Sequence, residues 1–134
     1  MSAENKQILR RFFHDVLERG DLGVLDAMVD RAFVDHQPAP GQGPGVEGVR
    51  QFVVAMRAGI SGLRVDVEHL IAEGELVASV ANVRGKHTGD LMGMPPSGKD
   101  VTMRIADVVR IQNGKVVERW GVEDMTGLAA PASV

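Results

Sequence analysis

Apolar residues return at every third or fourth position along the start of the chain. Ile8, Leu9, Phe12, Phe13, Val16 and Leu17 lay one apolar stripe along a helix from about Ala3 to Arg19. Ser2 is placed to cap that helix and Gly20 to end it. Asp21 then caps a second, shorter helix carrying Leu22, Leu25 and Met28. A brief extended piece, Phe33-Val-Asp-His36, precedes a loop built on Pro38, Pro40, Gly41, Gly43, Pro44 and Gly45. Val46, Val49, Phe52, Val53 and Met56 restore the helical period up to Gly59.

The period then falls to two. Leu63 to Ala72 alternates as a half-buried strand, with Val65, Val67, His69 and Ile71 on one face. Glu73-Gly-Glu75 is a turn, and Leu76 to His87 is the returning strand. Thr88 to Lys99 is a loop around Pro95-Pro96. Val101, Met103, Ile105, Asp107, Val109 and Ile111 alternate over a long third strand of this half, and Val116 to Val122 make a fourth. Between those two, Asn113-Gly114 is the strongest hairpin signal in the chain. The tail, residues 126–134, reads as loosely ordered. Helices followed by an antiparallel meander predict one α+β domain over residues 1–134. Three N-terminal helices pack on one face of a curved, mostly antiparallel sheet and enclose a pocket between the two layers.

Composition narrows the chemistry. At 134 residues a single core suffices, since folding buries roughly two-thirds of the unfolded chain's surface. The absence of cysteine excludes disulfide frameworks, thiolate metal sites and Cys nucleophiles. The absence of tyrosine excludes any mechanism that needs a phenol. A net charge of −3 argues against a nucleic-acid partner. No apolar run approaches the roughly 20 residues that span a bilayer, and the opening Met-Ser-Ala-Glu-Asn-Lys-Gln lacks a signal-peptide layout. A cytoplasmic protein without a membrane partner is the expectation. No two histidines lie two or four positions apart, so no metal is expected.

Acids on apolar faces are the informative polar residues. Asp107 lies between Ile105 and Val109 on the third strand's apolar face. On the fourth, Val116, Glu118, Trp120, Val122 and Asp124 share one face by alternation. An acid there loses solvation, its pKa rises, and it becomes a usable proton carrier near neutral pH. The plainer reading of Asp124 is exposure past the strand end, or a bulge that flips the register. The plainer reading of Asp107 is an ion pair with Arg104 or Arg110. His36, at the entry to the Pro/Gly loop, and His87, at the end of the second strand, could each polarise a carbonyl or serve only as structure. His14 and His69 read as structural. Phe12, Phe52, Asp107, Arg110, Trp120 and Met92 are the expected pocket residues.

The motifs in order resemble one family. They run Asn5-Lys6, Gly20-Asp21, Val34-Asp35-His36, Gly45-Val-Glu-Gly48, Ile71-Ala-Glu-Gly74, His87-Thr-Gly89 and Gly93-Met-Pro-Pro-Ser-Gly-Lys99. Asn113-Gly-Lys-Val-Val-Glu-Arg-Trp120, leading to Asp124, completes the set. In this order the chain resembles the SnoaL-like polyketide (ester) cyclases of the nuclear transport factor two-like superfamily. The resemblance implies a cystatin-like conical α+β fold, an apolar pocket, no cofactor, and a homodimer or homotetramer. It implies intramolecular aldol closure of a polyketide methyl ester or similar small hydrophobic carbonyl compound. It also implies that Asp124 is the acid/base, with His36 and His87 beside it, so that Asp124→Asn should lose most activity while keeping the fold. The chain departs from many relatives at Ile60-Ser-Gly-Leu63, at Gly85-Lys86-His87 and at Val80.

Three other readings stay open. A ketosteroid-isomerase-like enzyme would use Asp35 or Asp107 as base but would lack the usual tyrosine donor. An epoxide-hydrolase-like enzyme needs two aspartates bridged by an arginine around a water, from Asp107, Asp124 and Arg104 or Arg110. A ligand-binding module of the same fold would carry no chemistry.

Overall fold

The computed structural model describes residues 2–129, with side chains through residue 127. The first helix, α1, spans Ser2–Arg11 and continues into a wider π-helical stretch, Phe12–Glu18. There Arg19 N–H reaches the carbonyl of His14, five residues back. The amphipathic helix expected from about Ala3 to Arg19 is present, with its second half wound wider than an α-helix. The stripe of Leu9, Phe13, Val16 and Leu17 is buried all the same, and the wider turn aims both Phe12 and Phe13 at one cavity. Asp21 accepts a hydrogen bond from Gly23 N–H at 3.1 Å and starts a short helical run, Leu22–Val24, that leads into α2, Leu25–Met28.

Five strands form one mixed sheet in the order β1-β5-β4-β3-β2. They are β1, Val29–Asp35; β2, Ile60–Glu73; β3, Leu76–His87; β4, Asp100–Gln112; and β5, Lys115–Asp124. The helix α3, Gly45–Gly59, lies between β1 and β2 in the chain. β2 to β5 are the expected antiparallel meander. β1 is longer than the sequence pattern suggests, because a break in register between Val29 and Val34 disturbs its alternation; it pairs parallel with β5.

Asn113 and Gly114 both hold positive φ, 53° and 76°, as a two-residue hairpin turn with right-handed strand twist requires. After that turn one residue decides what β5 presents. Ile111 pairs with Val116, but Arg110 pairs with Glu118, so Val117 is extra. This bulge reverses the in–out order of the rest of β5.

The helices cover one face of the sheet. Phe13, Leu17, Leu25, Val53 and Met56 meet Val77, Ala81, Val83 and Met103 from the strands in one core. Each of these side chains except that of Ala81 contributes roughly 1.5–3 kcal/mol on burial. Thr126–Ala129 add a last helical turn, α4. The expectation for the remainder of the tail, 130–134, lies outside the described residues.

Candidate functional site

A pocket opens between the π-helical stretch, α3 and the inner face of β1, β4 and β5. Most of its wall is apolar, and Phe12, Phe33 and Phe52 bring rings to it. One end is charged. Arg119 stands there among Asp35, Asp107 and Glu123, all four lining the cavity.

The bulge in β5 creates this group. It turns Arg119, Gly121 and Glu123 inward, opposite Val109, Asp107 and Ile105 of β4. Parallel pairing then sets Asp35 of β1 beside Arg119. Arg119 Nε donates to Asp107 Oδ1 at 2.9 Å, and Nη2 lies 2.7 Å from the same oxygen. Nη2 also donates to Glu123 Oε1 at 2.5 Å. Nη1 donates to both oxygens of Asp35, at 3.0 and 3.1 Å, and to the carbonyl of Gln37 at 3.1 Å. Every donor of the guanidinium is committed. Asp35 is held further by Gln37 N–H and by Gln42 Nε2, and Gln42 itself lines the pocket.

Three carboxylates around one cation leave excess negative charge in a place that is short of water. Burial pushes the Asp107 carboxyl up to about 6. Arg119 opposes that shift and is outweighed, while Glu123 and Asp35 add to it. Directly across from Asp107 on β3 is Ser79, on the same inner face. Its side chain is buried, and its hydroxyl has no hydrogen-bond partner among the described residues.

Of the residues expected in the pocket, Phe12, Phe52 and Asp107 are there. Asp107 pairs with Arg119, which corrects the expected partners Arg104 and Arg110. Arg104 binds Glu68 instead, and Arg110 binds Glu75 and Glu118. Arg110 and Trp120 lie on the outer face of the sheet, with the guanidinium 5.8 Å from the ring, and not in the pocket. Met92 is exposed in the 88–99 loop, away from the pocket wall.

The three residues expected to act together are not brought together. Asp124 belongs to the outward set of β5 and is exposed. It accepts from Thr126 N–H at 3.0 Å and Thr126 Oγ1 at 2.7 Å, and these bonds hold its carboxyl below the usual range. The raised pKa expected for it is therefore corrected. His36 is outside as well, stacked on Trp120 with ring centres 5.0 Å apart. Its Nε2 is 2.7 Å from Glu118 Oε2, and that bond holds the Glu118 carboxyl low. His87 is only 1% exposed, beneath the 88–99 loop, with Nδ1 3.4 Å from Ser97 Oγ and Nε2 unpartnered among the described residues. It does not line the pocket.

Arg119 and Glu123 are what the sequence reading missed. Their alternation with Gly121 is visible in Arg119-Trp-Gly-Val-Glu123, but it has the opposite parity to Val116. Only the bulge makes it the inner set.

A family model described as SnoaL-like polyketide cyclase matches residues 7–131. No curated protein matches the sequence. Among solved structures, the chain is similar to TsrD from Streptomyces laurentii, with a TM-score of 0.86 and 23% identity over 96% of this chain and 93% of that one. It is similar to a candidate SnoaL-like polyketide cyclase from Jannaschia sp. CCS1, with TM-score 0.81 and 25% identity over 97% and 94% of the two chains. IdmH, a candidate polyketide cyclase from Streptomyces antibioticus, gives TM-score 0.81 and 25% identity over 97% and 99%. With the family model spanning nearly the whole sequence and the same α+β architecture shared over nearly the whole chain, the protein belongs to the SnoaL-like polyketide cyclase family.

Proposed function

We propose that this pocket carries out proton transfer on a carbonyl compound without a cofactor, closing a ring by intramolecular aldol addition of a polyketide methyl ester or a similar substrate. The observation that supports this is Asp107, a carboxyl buried at the end of an apolar pocket and pushed up to about 6. At that value both of its forms are accessible near neutral pH, as a group that must give and take one proton requires.

The ionised carboxylate removes a proton from a carbon flanked by carbonyls, and the resulting enolate carbon attacks a second carbonyl of the same molecule. One C–C bond forms, and the new alkoxide takes its proton back from Asp107. Atoms balance without a further reactant. The apolar wall holds the chain folded, and that proximity supplies much of the rate. Arg119 fixes the Asp107 carboxyl in place. Asp124 takes no part in this reading.

A second reading is favoured by one observation, that Arg119 bridges Asp35 and Asp107. Two aspartates joined by an arginine could activate a water to open an epoxide. We also propose that the chain self-associates through the sheet face that the helices leave uncovered.

The test is absorbance-monitored turnover of an anthraquinone-type β-keto methyl ester by wild type, Asp107→Asn and Asp124→Asn. Wild-type turnover should fall by roughly 100-fold or more in Asp107→Asn, the scale of a lost general acid–base group. It should change little in Asp124→Asn. Normal turnover by Asp107→Asn would sink the assignment. Turnover of a small epoxide in place of the ester, lost in both Asp35→Asn and Asp107→Asn, would establish the second reading.

A further inference from the structure

The charged end of the pocket is unbalanced in a way that bears on which ligands it admits. Among the described lining residues Arg119 is the sole cation, against Asp35, Asp107 and Glu123. Its donors are all used by those carboxylates and by the Gln37 carbonyl. An incoming anion would meet surplus negative charge and no free cationic donor. Acceptors, by contrast, are to spare. Asp107 and Glu123 each accept from Arg119 through one oxygen, Oδ1 and Oε1, which leaves the second oxygen of each carboxylate without a hydrogen bond from that guanidinium. The Ser79 hydroxyl, 3% exposed and paired in register with Asp107, is a further unpartnered polar group beside the cluster, outside the pocket lining. Around these acceptors, Phe12, Phe33 and Phe52 line the pocket and suit a flat apolar frame.

We propose that the pocket selects ligands by charge, preferring an aromatic ligand that carries a protonated amine to its neutral ester, and rejecting the free carboxylate, with Glu123 as the residue that sets this selection. It rests on the pocket being the ligand site, and not on the aldol chemistry. Glu123 is assigned this role because it is the most exposed of the three carboxylates, at 22% against 10% and 12%. A buried carboxylate pair that gains a cation recovers part of its lost solvation, whereas one that gains another anion has no compensation.

The experiment is calorimetric binding of three matched probes to the full chain at about pH 7.5: naphthylmethylamine, methyl naphthoate and naphthoate. Affinity should fall in that order, with the acid weaker than the ester by roughly tenfold or more. In Glu123→Gln, with folding checked by its melting curve, the preference for the amine over the ester should shrink several-fold while ester binding holds.

A second measurement needs no variant. Lowering the pH to about 5 goes below the value of about 6 to which burial pushes Asp107, which faces Asp35 from β1 and Arg119 and Glu123 from β5, and so favours its neutral form. Amine affinity should then drop several-fold and ester affinity should not. The proposal is overturned if naphthoate binds as well as its ester, if no probe binds, or if the amine's advantage survives both the variant and the acid pH. Charge-ordered binding without turnover of the β-keto ester would leave this selection standing and remove the cyclase reading.

Discussion

Asp107 is where burial and ion pairing compete, and burial prevails. Its carboxyl is pushed up to about 6 from an ordinary 3.8 even with Arg119 bonded to it. An acid that holds its proton more tightly folded than unfolded stabilises the fold below its unfolded pKa. That contribution is lost as pH rises through the folded value. Between pH 3.8 and about 6, then, wild type loses stability that Asp107→Asn does not lose. The variant should gain on wild type by up to about 3 kcal/mol between pH 4 and pH 7.5. Glu68, Glu118 and Asp124, all held low, slope the other way, but equally in both proteins. Melting curves across that range read the difference directly, and a difference independent of pH would refute the burial argument. At this scale the sequence was readable where an acid interrupted an apolar alternation, as Asp107 does between Ile105 and Val109. It was not readable at Arg119 and Glu123, since a charged residue in the outward parity of a strand looks like ordinary solvated surface.

The element that decides the site is β5, through the extra residue Val117. Without that bulge, Trp120 and Asp124 would face the helices, as strict alternation from Val116 predicts. No residue in Lys115-Val-Val-Glu marks it, because Val and Glu suit a bulged strand and a regular one equally. The π-helical stretch was hidden for a similar reason, since burial of Leu9, Phe13, Val16 and Leu17 fits both an α-helix and the wider turn. The hairpin at Asn113-Gly114, the Asp21 cap and the β2–β5 meander were legible because turn chemistry and a period of two are local signals.

Gly121 shows how closely β5 is fitted to its cluster. A Cβ there would collide with Asp107 Oδ1 and come within 2.7 Å of Arg119 Nη2 and 3.0 Å of the Ala106 carbonyl. Gly121→Ala should therefore lower the melting temperature by roughly 3–10 °C, the scale of an overpacked interior. It should also lower turnover along with stability, because the atoms it displaces are those that hold Asp107. An alanine variant as stable and active as wild type would mean that the cluster is looser than its geometry indicates.

At the scale of the whole molecule, helices on one face leave the other face of the sheet open among the described residues. Two apolar rows cross it by register. Ile71, Ala78, Val108 and Trp120 form one row; Val80, Ala106 and Val122 form the next. Ile71 is 64% exposed and Val122 67%, a large apolar surface for one face of a small protein. Charges of both signs ring the rows, Arg104 with Glu68 at one edge and Arg110 with Glu118 and Glu75 at the other. A rim of that kind suits a second copy of the same surface placed across a two-fold axis. Val122→Glu puts a charge at the β5 end of one row, where an apolar contact would bury it without a partner. Sedimentation of wild type should show a dimer or tetramer, and Val122→Glu should shift it to monomer while helix and strand content stay the same. The pocket opens on the opposite side of the sheet, so the monomeric variant should still bind the naphthyl probes. A wild-type protein that sediments as a monomer at every concentration, or an assembly untouched by Val122→Glu, would remove this face from the contact.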